Sequence, residues 1–144
     1  MRPADRPGTR RWLLFPAAVL VLSGLAAGCS SSSSSKPAYC TAASQLKTSV
    51  QDLGNVNINV HDLSSVNTAV SKVQTDATTF ASEAKSAYPS QTTALKTSLS
   101  GLQTAVKSAM SQPSLTTVAA VVSSVTQVKT AASNLQTAVK GKCQ

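Results

Sequence analysis

The amino-acid sequence predicts an all-α domain, an up-down-up-down four-helix bundle over residues 38–144. Two observations lead there. Apolar residues recur in alternating steps of three and four from Tyr39 onward, which aligns them along one face of a helix. Helix-breaking residues then divide that pattern into four stretches joined by short connections, which favours antiparallel neighbours. The hydrophobic fraction of 42% comes mainly from Ala and Val, and aromatics are only 3%, so the expected core is thin. At 144 residues the chain suits one folded domain.

The first helix carries Tyr39, Ala43, Leu46, Val50 and Leu53, and Gly54-Asn55 closes it. Leu63, Val66, Val70, Val73, Ala77, Phe80, Ala84 and Ala87 mark the second. Asp62 is placed to cap its start, and Tyr88-Pro89 to end it, because proline disfavours a helical residue before it. A third stripe runs through Leu95, Leu99, Leu102, Val106 and Ala109, with Ser90 as the expected cap and Gln112-Pro113 as the break. The fourth carries Val118, Val121, Val125, Val128, Ala132, Leu135 and Val139, with Ser114 as cap and Gly141 beyond its end. Ser, Thr and Val each cost a few tenths of a kcal/mol relative to Ala in a helix, so these helices depend on packing.

Two local patterns stand apart. Asn55–His61 alternates polar and apolar residues with period two. It reads as an extended connection whose Val56, Ile58 and Val60 cover the open end of the bundle, with an edge strand as the competing reading. Residues Leu95–Met110 and Val128–Cys143 echo one another at an offset of 33. The echo fits either duplication or a limited vocabulary of Ala, Ser, Thr, Val and Lys, and it does not imply a solenoid.

The N-terminal segment is expected to lie outside the fold. Arg2, Arg6, Arg10 and Arg11 form a basic start, and Trp12–Ala27 follows as a nearly unbroken apolar run. Its 16 residues are short for a membrane-spanning helix and suited to an export signal. The run ends at Leu25-Ala26-Ala27-Gly28-Cys29. This order of features resembles that of bacterial lipoprotein precursors, over residues 1–29 only. The resemblance implies cleavage between Gly28 and Cys29 and a diacylglycerol thioether on Cys29, with the acyl chains, such as palmitate, inserted in the membrane. Ala26 departs from the Leu that many such signals carry. Arg10-Arg11 before the apolar run also looks like a twin-arginine signal, a pairing common in plain signals too. Ser30–Ser35 is a serine run, followed by Lys36 and Pro37, and residues 29–37 read as the lipidated cysteine and a flexible tether.

Given that resemblance, Cys40 and Cys143 remain as a pair outside the membrane, where disulfides persist. An even number of antiparallel helices puts the start of the first and the end of the last on one side. The expected fold is therefore closed by a Cys40–Cys143 disulfide; three helices would separate the two sulfurs by a helix length.

Removing residues 1–28 leaves nine basic side chains against four acidic ones, so the chain after processing is about +5 rather than +8. Aromatic residues interleaved with basic ones are lacking, and export excludes ordinary nucleic-acid work. Lys96 with Lys107, and Lys129 with Lys140, are spaced by eleven residues, so each pair shares a helical face. They are the candidate contacts for an anionic surface, against the plainer reading of solubilising lysines. His61 has no partner ligands near it in sequence and reads as a solvated loop residue, so neither metal nor cofactor is expected. Asp52, Asp62, Asp76 and Glu83 read as solvated, and no nucleophile motif accompanies the many serines.

The expectation is thus a small non-catalytic lipoprotein on the outer face of a bacterial cytoplasmic membrane, a binding or structural module whose contacts include the membrane and an envelope protein or anionic polymer. The alternative is a carrier of a small apolar ligand or lipid held between Ala-rich helix faces.

Overall fold

The computed structural model describes residues 36–84 and 86–144. The expected export signal, the Gly28–Cys29 junction, Cys29 and the serine run lie outside the described residues. Within them the chain is all-helical: α1 (Ala38–Asn55), α2 (Leu63–Ala84), α3 (Pro89–Ser111) and α4 (Leu115–Cys143). No strand occurs among the described residues.

Each helix forms because one stripe is apolar and finds two neighbours to bury it. Helix α1 packs on α2 and α4, and α3 packs on α2 and α4, so the four close a ring around one core. The stripes read from the sequence are the ones buried. In α3 they coincide residue for residue: Leu95, Leu99, Leu102, Val106 and Ala109. Phe80, the largest wholly enclosed side chain among the described residues, sits in a core otherwise built from Leu, Val and Ala. The echoed segments supply matching layers, since Leu95, Leu99, Leu102 and Val106 of α3 and Val128, Ala132, Leu135 and Val139 of α4 are all buried. The core also takes in Ala42, Ser49 and Ala131, which the stripes did not include. Buried Ser49 donates its hydroxyl to the Leu46 carbonyl at 3.1 Å, so no polar atom is stranded there.

Ser and Thr on the outer faces are accommodated in the same way. Thr48, Thr68, Thr75, Thr104, Thr126 and Thr137 each donate to the carbonyl four residues earlier, at 3.0–3.2 Å. That bond explains how a sequence of mediocre helix formers satisfies its hydroxyls without leaving the helix.

Helix ends differ from the sequence reading in three places. Helix α2 stops at Ala84, so Ala87 leaves the stripe and is exposed in the connection. Pro89 begins α3 instead of only ending α2: it sits at the first helical position, where its missing N–H costs nothing and its fixed φ suits the helix. Tyr88 occupies the cap position without a side-chain bond, and Ser90 is therefore inside the helix and not its cap. Gly141 lies within α4, which continues to Cys143; a Cβ there would meet nothing within 4 Å, so no backbone demand calls for glycine. Tyr39 and Val118 are half-buried at the edges of the core.

Two caps follow the sequence reading. Ser114 accepts from the Thr117 N–H at 3.1 Å, while the Thr117 hydroxyl accepts from the Ser114 N–H at 3.0 Å, a reciprocal box that starts α4. Asp62 accepts from the Ser65 N–H and from the Ser64 and Ser65 hydroxyls. The connection before it carries no strand: Val56 and Ile58 pack on the core, and Asn59 Oδ1 accepts from the His61 and Asp62 N–H groups, shaping the turn.

Candidate surface site at the disulfide pole

Cys40, in the first turn of α1, and Cys143, in the last turn of α4, form a disulfide with their Cα atoms 5.4 Å apart and 103 residues apart in sequence. Tyr39 is next to Cys40 and stacks edge-on against Phe80 near the end of α2 and Tyr88 at the start of α3, at ring-centroid distances of 6.3 and 5.5 Å. One pole of the domain therefore gathers the start of α1, the end of α2, the start of α3 and the end of α4. These contacts concentrate the three Phe and Tyr rings of the described residues where the covalent clasp sits.

The disulfide also sets the register of α1 against α4. Fourteen residues on from Cys40 is Gly54, and fourteen back from Cys143 is Lys129. A Cβ built on Gly54 would lie 3.5 Å from the Cδ, Cε and Nζ of Lys129, so the lysine stem crosses α1 over that glycine. Its ammonium lies in the last turn of α1, the negative end of that helix's dipole.

Between these points the α1–α4 seam opens into a groove of about 750 Å³ beside the disulfide. Lys36, Lys47 and Lys140 line it with Ser44, Ser133 and Thr137, and no acidic side chain contributes to its walls. The wider charge distribution agrees. Residues 89–144 contain five lysines and no Asp or Glu, while Asp52, Asp62, Asp76 and Glu83 belong to the α1–α2 part of the chain. The one ion pair among the described residues is Lys72–Asp76 along α2, at 3.4 Å.

The four lysines singled out from the sequence do not fall on one face. Lys140 lines the α1–α4 groove and Lys129 crosses α1. Lys96 lies instead in a groove of about 300 Å³ between α2 and α3, with Gln74, Thr78 and Gln103. Lys107 borders a hollow of about 320 Å³ on α3, with Thr104 and Ser111. Sequence reasoning missed Lys36 and Lys47, which the structure places with Lys140. The signal was available: once Cys40 is set opposite Cys143, antiparallel counting brings Lys47 opposite Gln136, beside Lys140.

His61 is exposed in the connection, and among the described residues no three His, Cys, Asp or Glu side chains converge. The hydroxyls of Ser65 and Ser64 and the Ser65 N–H hold the Asp62 carboxyl below its ordinary 3.8. That shift belongs to a helix cap and not to a reactive centre. Among the described residues Met110, Leu115 and Val122 are the large apolar side chains left exposed, at 44%, 84% and 47%. Single exposed apolar residues are ordinary on a soluble surface. No described helix is long and apolar enough to cross a membrane.

The chain matches none of the protein families, curated proteins or solved structures with which it was compared.

Proposed function

We propose that this protein is an exported lipoprotein, held at the outer face of a bacterial cytoplasmic membrane by a lipid on Cys29, and that its bundle is a non-catalytic binding or structural module of the cell envelope. The observation that carries the reading is the ordered run of basic start, apolar stretch and Leu25-Ala26-Ala27-Gly28-Cys29. The Cys40–Cys143 bond supports it, because a domain clasped end to end by a disulfide suits an oxidising compartment. The bundle is read as up-down-up-down. Its support is the ring of neighbour contacts and the gathering of alternate helix ends at the disulfide pole.

The binding part of the reading draws on the grooves of the described residues, which mix Lys, Ser, Thr and Gln with apolar side chains such as Ala43, Val139 and Leu99. Detergent phase separation of cells expressing Cys29→Ala tests the reading. The variant is expected in the aqueous phase and the wild type in the detergent phase; equal retention of both in detergent contradicts the anchor.

A further inference from the structure

We propose that the α1–α4 groove rests on the anionic phospholipid headgroups of the membrane that carries the anchor, so that the bundle lies against the bilayer at its disulfide pole. The inference rests on the lipid-anchor reading and adds to it a second, electrostatic contact and an orientation. Three observations converge. The groove holds Lys36, Lys47 and Lys140 and no Asp or Glu side chain, so its three amines outnumber the single α-carboxylate that Gln144, also in the lining, carries in residues 29–144, and the cluster is complementary to phosphate esters. It is the groove nearest the anchor in sequence, since Lys36 follows Cys29 by only seven residues. On the tether reading, eight residues of coil would span on the order of 16 Å, short enough to let the groove touch the headgroups, as it must because attraction fades beyond a Debye length of about 8 Å. None of the four acidic side chains of residues 36–144 lines this groove: Asp52 is on α1, Asp62 precedes α2, and Asp76 and Glu83 are on α2.

Lys96 and Lys107 serve as an internal control, because they carry the same charge on α3 and line other hollows. Removing one lysine from the field of an anionic surface weakens attraction by about five-fold, so the three together act over about two orders of magnitude.

The test uses the whole processed chain, residues 29–144, coupled through the Cys29 thiol to a maleimide lipid in vesicles. Amine acetylation is then followed lysine by lysine by mass spectrometry. On vesicles with 30% phosphatidylglycerol, in ~0.1 M salt, Lys36, Lys47 and Lys140 are expected to react at least three-fold more slowly than on phosphatidylcholine vesicles. Lys96 and Lys107 are expected to react alike on both, and ~0.5 M salt should erase the difference. In Lys47→Gln/Lys140→Gln the protection of Lys36 should vanish. Equal rates on the two vesicle types overturn the proposal, as does protection of Lys96 and Lys107 to the same degree. Protection by soluble polyphosphate on phosphatidylcholine vesicles, without any by phosphatidylglycerol, also overturns it and assigns the groove to a polymer. Because the anchor is supplied chemically, these outcomes are independent of whether cells lipidate Cys29.

Discussion

Opening the Cys40–Cys143 bond perturbs the domain chiefly through its unfolded state. The bond closes a loop with a sequence separation of 103. In the chain-entropy description, a loop of that size restricts the unfolded chain by about 4.7 kcal/mol, whereas measured disulfides commonly contribute 2–4. An unfolding entropy of about 2.1 cal/mol/K per residue over residues 36–144 gives roughly 0.23 kcal/mol/K. Reduction is therefore expected to lower Tm by about 10–20 °C. The assay compares oxidised protein, reduced and alkylated protein, and Cys40→Ser/Cys143→Ser by calorimetry, with urea melts alongside. The urea m-value should rise in the two open forms, because an uncrosslinked unfolded chain exposes more surface. A Tm change under about 3 °C with an unchanged m-value would refute the reasoning, since it would mean the unfolded ensemble never felt the clasp.

Three further outcomes follow from named contacts. Ser114→Ala should cost about 1 kcal/mol through the lost box with Thr117, while Ser90→Ala should cost a few tenths at most, as measured by urea denaturation; equal costs contradict the cap assignment. Asp62 has a folded pKa below its ordinary 3.8, so its contribution to stability is present above that value and is lost as pH falls through the folded pKa. Wild type and Asp62→Asn should then differ in Tm at neutral pH and converge under strongly acidic conditions, and a gap that widens on acidification contradicts the sign. Ile58→Asp should leave the oligomeric state unchanged in sedimentation experiments while lowering stability by roughly 1–2 kcal/mol, because Ile58 covers the core; loss of a dimer would restore the edge-strand reading.

How much of this was legible beforehand depended on which physical signal a residue carries. Burial along α3 was readable in full because Leu95 to Ala109 obey one uninterrupted helical period. The clasp was readable from parity: an even number of helices returns the chain to the pole where it began. Helix ends were harder. Pro89 is ambiguous in sequence, since the same ring that forbids an internal helical position is welcome at the first one, and the backbone chose the second. Gly141 misled for a related reason, as glycine is permitted in a helix end as well as beyond it. The surface groove was the least legible, because spacing within one helix cannot say which lysines meet across a seam. Lys96 and Lys107 share a face of α3, yet the partner of Lys140 is Lys47 of α1. Register between helices carries that information, and here it is fixed by the disulfide and by Gly54 beneath Lys129.

The account's central claim is that the working protein begins at Cys29 and carries lipid there. Intact-mass spectrometry of the protein extracted from membranes of the producing cell, followed by sequencing of its N-terminal peptide, tests this most directly. The predicted result is a chain lacking residues 1–28, with acyl mass on Cys29 and none on Cys40 or Cys143. A membrane-bound chain that retains residues 1–28, or one that starts at Cys29 with an unmodified thiol, would contradict it.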